Sequence, residues 1–556
     1  MAGLYELADR YVQRTAELDP VSATMRGIPG FDDRMTDYSP DGIAAREQHD
    51  RQTLSVMEAM PANGDRERIA RDVMRERLKV GLQMHSIGEP FRNLRVLGSP
   101  MQQIRQCFDL MSTDTSQDWE TIATRMTHIP EALASLQKTL SEGLGRGLKV
   151  ARRQVLACAE QATVWSGGRT GTPGFFNRLI SKHEPSVGNG VLRGRLEDGA
   201  QKASAAYAGM ARYLREQYAP AAEPRDPAGE ERYAINARGF LGKSIDLRET
   251  YAWGWEELHR IEDRMQAVAQ EILPGQTLSA VIELLETDPK RTIEGEENLR
   301  NWLQELMDRT IAELDGKHFD IPDPVKRVEA MIAPPGGTAA MYYTRPSEDF
   351  KRPGRTWYPT LGKTRFPLWG EVSTAYHEGV PGHHLQLAQL MYLGKELSRF
   401  QRTSAFIPGN SEGWALYAER LMGELGYFEN PDYELGMLRA HAFRATRVII
   451  DIGMHLELTI PRESAFHPGE IWSPDLGLEF ALLHGYEPQD FMRSELDRYL
   501  GWPGQAICYK VGERVWLGIR EQARHQGNFD LKRWHTRALN LGPMGLEQLE
   551  RELTAA

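Results

Sequence analysis

"YHEGVPGHHLQ", Tyr376 to Gln386, sets three histidines and a glutamate around a Pro-Gly pair. An H-E-x-x-H helix serves one ion because residues i and i+4 differ by about 40° of rotation and about 6 Å of rise. Here the residue four after His377 is Pro381, and the next histidines are His383 and His384. On an unbroken helix, i+6 points about 240° away and i+7 lies about 10 Å along the axis, so neither shares an ion with His377. "GVPG" supplies two glycines and a proline where the helix would have to bulge or unwind. With two residues looped out, His383 returns to the second-ligand position. His384 stands beside it, as the rival second ligand or as a support behind the site.

A third ligand is expected from a following helix. "NSEGWALYAERLMGEL" reads as one, capped by Asn410 or Ser411, with Glu412 in its first turn and Trp414, Leu416, Tyr417, Leu421 and Met422 on buried faces. The 29 residues from His383 to Glu412 leave room for the rest of one helix and a turn. His377, His383 and Glu412 are therefore expected to hold one zinc per chain as a His₂Glu set with an open fourth position. Glu378, beside the first ligand, is placed to take the proton of a water on the metal. The competing readings are a histidine-rich surface loop and a first-turn carboxylate favoured by the helix dipole. Cys107, Cys158 and Cys508 are odd in number and far apart, which leaves histidine and carboxylate to bind any metal.

Outward from this stretch, apolar residues recur at i, i+3, i+4 and i+7 in segments such as "LYELADRYVQRTAEL" and "TYAWGWEELHRIEDRMQAVAQEIL", so residues 1–330 read as a helical N-terminal region. Residues 331–556 read as the metal-binding catalytic region, the two forming one integrated body. After Ile332, "APPGGTAAMYYTRPSEDFKRPGRTWYPT" reads as one or two short strands with turns, a small β element beside the metal-binding helix. Hydrophobic residues at 41% and charged residues at 26% describe a chain that folds. A formal charge of −11 with scattered Lys and Arg argues against nucleic acid as a partner. No run approaches eighteen apolar residues and the start has no basic-then-apolar leader, so no membrane partner and a cytoplasmic location are expected.

"YHEGVPGHHLQ", "SEGWALYAERL", "DIGMH", "WPGQAICYKVG" and the opening "DPVSATMRGIPGFDDRMTDYSPDGIAAR" together resemble the DUF885 family, grouped with the zincin-type metallopeptidases, over nearly the whole chain. The family's HExxPGHH pattern falls on His377, Glu378, Pro381, Gly382, His383 and His384, and its E-G-W-x-x-Y-x-E pattern on Glu412 through Glu419. The resemblance implies a large, mainly α metallopeptidase-like fold with a deep cleft, similar to the gluzincins in using Glu as third ligand. Many relatives carry an export or lipoprotein leader, a feature not read here.

Supporting residues follow from helical stripes. In "RAHAFRATRVIIDIGMHLE", Arg444, Arg447, Asp451 and His455 line one face of an otherwise apolar helix. His455 is a candidate oxyanion donor, with Asp451 and Arg447 behind it; an internal Arg–Asp network is the alternative. Tyr509, after a Pro-Gly turn, is the other oxyanion candidate, or else a core tyrosine. Lys510 is a candidate for a substrate carboxylate, and Tyr343, Arg345 and Arg352 for recognition of a peptide or aminoacyl group. The expected activity is hydrolysis of an amide bond in a small peptide or peptidyl metabolite. A metal-dependent step on a biosynthetic intermediate and a non-catalytic, metal-stabilised binding protein are the alternatives. The sequence leaves the oligomeric state open.

Overall fold

The structure is a computed structural model that describes residues 3–169, 171–184, 190–333, 341–347 and 349–554. It is mainly helical with small sheets, as the 3.6-residue periodicity requires. Two compact units are present. Met1–Glu67, Met74–Ile235 and Arg493–Pro503 form one, and Arg68–Val73, Asn236–Met492 and Gly504–Ala556 the other. Position 330, where the texture of the sequence changes, falls inside the second unit, within the strand Val328–Ile332.

The first unit is built on the helix Gly190–Arg212, which packs against Ser116–Thr127 and Arg152–Ser166. Trp119, Met126, Cys158, Phe176, Leu196 and Tyr207 meet in its core. Arg125 is fully buried there, and burial of its charge is tolerated because it donates to Thr24 Oγ1 at 2.7 Å and the Pro20 carbonyl at 3.2 Å, with Asp32 3.4 Å away.

The second unit carries the histidine-rich stretch. Its long helix Pro431–Leu456 starts on an Asn430 side-chain cap with proline at the first position, then buries Val448, Ile449, Ile450 and Ile452 against the helix Leu247–Ile272. The helix Pro408–Glu424 crosses Cys508–His525 where Gly413 meets Gly512. A Cβ on Gly413 would lie 2.5 Å from the Gly512 backbone, so only glycine permits this approach. Strand Gly354–Tyr358 pairs in parallel with Val328–Ile332 and antiparallel with Tyr342–Thr344. This is the small β element expected after Ile332, although residues 334–340 and 348 of that segment lie outside the described residues. A second sheet pairs Thr292–Glu294 with Arg365–Pro367. Among the described residues no helix is long and apolar enough to cross a membrane.

Candidate metal centre

The helix Glu371–Glu378 stops after the first histidine and glutamate, and a new helix, His383–Leu393, begins on the second histidine. Between them the Val380–Pro381 peptide is cis, and Gly382 N–H donates back to the Tyr376 carbonyl at 3.0 Å. A Cβ at Gly382 would sit 2.0 Å from the His377 carbonyl oxygen, which explains the glycine. Trp414 Nε1–H donates to the Pro381 carbonyl at 2.9 Å and tethers the turn to the next helix. The sequence suggested a bulge or an unwound segment; the structure has the helix broken outright over Gly379–Gly382. That break swings the His383 ring to 4.8 Å, centroid to centroid, from the His377 ring.

Glu412 meets both. Its Oε2 lies 3.5 Å from His377 Nε2 and 3.4 Å from His383 Nε2, and the three donor atoms fall within 4.8 Å of one another. A tetrahedral zinc with bonds of about 2.0–2.1 Å sets its ligand atoms about 3.3 Å apart, so the donor types and both Glu412 distances fit such an ion. The helix bearing Glu412 starts at Pro408, earlier than a cap at Asn410 or Ser411 would place it. Proline takes the first position, while Asn410 bonds Gln386 and the Met544 carbonyl, and Ser411 Oγ faces His383 Nδ1 at 3.5 Å.

The electrostatics favour a cation. Burial opposes the Glu412 charge, but the two imidazoles outweigh it and hold the carboxyl below the usual range. Burial likewise disfavours charge on His377, yet Glu412 and Glu419 raise it to about 9. His377 Nδ1 lies 2.7 Å from Glu419 Oε1 and Nε2 lies 3.5 Å from Glu412 Oε2, so in the charged ring Nδ1–H donates to Glu419 and Nε2–H points to Glu412; a bound ion would replace the Nε2 proton while Glu419 keeps the one on Nδ1. Ser373 Oγ–H donates to the other Glu419 oxygen, with His441 Nε2 3.6 Å from it and Arg444 3.9 Å from Oε1. The chain of charge continues through Lys510, whose Nζ lies 3.3 Å from His441 Nδ1, 2.8 Å from Glu257 and in contact with Glu513.

A family model described as "Bacterial protein of unknown function (DUF885)" matches residues 20–553. The chain belongs to this family. The crystal structure of a candidate lipoprotein from Colwellia psychrerythraea is similar at a TM-score of 0.83 and 21% identity, over 100% of this chain and 99% of that one. A candidate lipoprotein of unknown function from Shewanella oneidensis is similar at a TM-score of 0.76 and 15% identity, over 99% of each chain. These likenesses establish a shared fold. No curated protein matches the chain.

In this DUF885 chain the remaining candidates are distributed as follows. His384 turns away from the cluster: Nε2–H donates to the Val325 carbonyl at 2.7 Å, and Nδ1 accepts from Tyr343 O–H at 2.9 Å. Burial lowers its pKa to about 4, so the ring is neutral. His383 and not His384 therefore joins His377 and Glu412, and Tyr343 is engaged in supporting His384. Lys510 is fully buried between Glu257 and Glu513, so its charge is answered inside the protein and does not face a substrate. Arg352 is exposed on a turn. Arg447 lies over the Tyr509 ring at 4.8 Å, in the first turn of Cys508–His525. Asp451 Oδ2 accepts from Gly504 N–H at 3.0 Å, and His455 Nε2 lies 3.7 Å from Asp451 Oδ1. His455 stands eleven residues beyond Arg444, about 16 Å along the helix axis, and is fully buried there. The structure gives it a place in the Asp451 cluster and does not bring it to the three ligands.

Glu419 entered the sequence reading only as the end of the E-G-W-x-x-Y-x-E pattern, with no role given, and His441 and Glu257 were not singled out. Glu419 had a signal: it follows Glu412 by seven residues and shares its helix face. His441 extends the Arg444 stripe by three residues toward the helix start. Glu257 comes from a helix far off in sequence, where no local pattern marks it.

Proposed function

We propose that this protein is a zinc-dependent hydrolase of amide bonds in small peptides or peptidyl metabolites, related to the zincin-type peptidases and gluzincin-like in its third ligand. The observation that carries the reading is the convergence of His377, His383 and Glu412 with Glu378 beside them. His377, His383 and Glu412 would hold the ion, and Glu419 fixes the proton on His377 Nδ1 so that Nε2 is free to bind. Zinc there supplies Lewis acidity toward a carbonyl and lowers the pKa of a water toward 7. Glu378 is buried, and among the described residues its carboxylate has no hydrogen-bond or ion-pair partner. Such a carboxylate is suited to accept the proton of the attacking water and deliver it to the leaving amine. Tyr509, with Arg447 over its ring, is proposed to donate to the developing oxyanion. A cleft leading to these residues is part of the proposal.

The test is metal analysis of purified protein together with a peptide-library digest, with and without chelator. One zinc per chain and cleavage abolished by chelation are expected. Cleavage by metal-free protein, or no stoichiometric zinc, overturns the reading. A cytoplasmic location is proposed beside it, against the lipoprotein descriptions of the two structural neighbours. Fractionation of cells decides between the two.

A further inference from the structure

A concavity lies against the His383 and Glu412 helices. Its apolar wall includes Leu387, Leu390, Ile407 and Leu539, and its polar wall includes Ser411, Gln386 and Arg345. Ser411 borders the metal centre from behind the second ligand: it precedes Glu412, and its Oγ lies 3.5 Å from His383 Nδ1, the ring nitrogen other than the Nε2 that faces Glu412. The aliphatic side chains of this wall suit an aliphatic side chain of a ligand. Phe406, 55% exposed, stands at the wall.

Arg345 is the unusual member. Nη1–H donates to the Arg402 carbonyl at 3.2 Å, and among the described residues no carboxylate lies within ion-pair distance. A guanidinium beside an apolar wall with no anion among the described residues is costly, and a carboxylate is the ligand its planar donors fit best. Burial lowers its pKa, the neighbouring Tyr343 opposing. Gln386 Nε2–H donates to Asn410 Oδ1 at 3.0 Å, while Gln386 Oε1 is buried and accepts no hydrogen bond among the described residues. A cation, an unused amide acceptor and a small apolar wall are the complements of a carboxylate, an N–H and an aliphatic side chain. Those three groups occur together on the C-terminal residue of a peptide.

We propose that this pocket takes the C-terminal residue of the substrate, Arg345 binding its free carboxylate, and that the hydrolase acts from the carboxyl end on chains ending in an aliphatic residue. The inference rests on the hydrolase reading for the cleavage and on the pocket alone for the recognition. Its test separates the two. In the zinc-loaded Glu378→Gln protein, which does not consume ligand, calorimetry compares N-acetyl-leucine with N-acetyl-leucinamide. The acid should bind about 10- to 100-fold more tightly than the amide, the effect of one charge-assisted contact. Adding Arg345→Gln should remove that preference while leaving amide affinity unchanged, which also shows that the pocket remains folded; Arg345→Lys should restore part of it. Equal binding of acid and amide, binding of neither, or a preference that survives Arg345→Gln overturns the assignment. In parallel, the otherwise unaltered zinc enzyme is given one peptide as free acid and as C-terminal amide. Equal cleavage of both refutes the pocket and leaves the hydrolase standing. Cleavage of neither, with the binding preference intact, refutes the hydrolase and leaves the pocket standing.

Discussion

Glu419 Oε1 accepts from His377 Nδ1–H at 2.7 Å, and the same carboxylate is reached by Ser373, His441 and Arg444, so the outermost support of the candidate ion is itself supported. Removing the charge while keeping the shape isolates its part. Glu419→Gln is expected to weaken zinc binding about 10- to 100-fold with the fold intact, read by competition with a chelating dye. An unchanged affinity would reduce Glu419 to a packing role.

Glu378 shares the helix end with His377 but lies outside the three-atom ligand set. Glu378→Gln should therefore keep stoichiometric zinc and lose roughly 100-fold or more in kcat, since an amide cannot accept the water's proton. Full turnover in the metal-replete variant would remove Glu378 from the chemistry.

The two adjacent histidines should separate cleanly. His383→Ala is expected to lose zinc and retain the fold. His384→Ala should retain zinc but leave the Val325 carbonyl and the Tyr343 hydroxyl without their partner in a buried place, at a cost of about 1–3 kcal/mol. Metal content and urea midpoints of both variants check this, and the reverse pattern would exchange their roles.

The helical character and the three candidate ligands were legible because each depends on local pattern: apolar periodicity, a Pro-Gly break between His377 and His383, a glutamate before an apolar run. The choice between His383 and His384 was not, because it turns on where each ring finds a partner, and Val325 and Tyr343 are 59 and 41 residues away from His384. Lys510 shows the same limit. Its sequence neighbours suggested a residue facing a ligand, whereas Glu257, 253 residues earlier, makes it half of a buried pair. A stripe of polar residues marks a helix face correctly but not how far along it the site lies: His455 meets Asp451, one turn away, while Arg444 of the same stripe stands about 16 Å along the axis.

Gly382 sets the angle between the two ligand-bearing helices. Its missing Cβ would meet the carbonyl oxygens of His377 at 2.0 Å and Tyr376 at 2.4 Å, both backbone atoms of the first helix. Gly382→Ala must push that backbone away. We expect weaker zinc binding by at least about 10-fold and a lower thermal midpoint in the apo protein, consistent with the roughly 1–3 kcal/mol of an overpacked contact. Undiminished affinity would show that the ligands do not depend on this turn.

The last expectation concerns pH. Glu257 binds Lys510 at 2.8 Å and Arg260 through both oxygens at 2.8 Å. Burial opposes its charge, but Arg260 and Lys510 prevail and lower its pKa to about 2. An unfolded glutamate titrates near 4.3. Because the folded value is depressed, the stabilisation is fully present above about pH 4.3 and is lost as pH falls toward 2. The shift of roughly two units corresponds to about 3 kcal/mol at neutral pH, of which about half remains at pH 3. Urea unfolding of Glu257→Gln against the unsubstituted protein should show that gap at pH 7, a similar gap at pH 5.5, and a gap narrowed to about half at pH 3. Lys510 keeps Glu513 in the variant, so the gap reads the Glu257 proton and not the collapse of the whole cluster. A difference that stays constant from pH 7 to pH 3 would mean that Glu257 does not ionise differently in the folded chain.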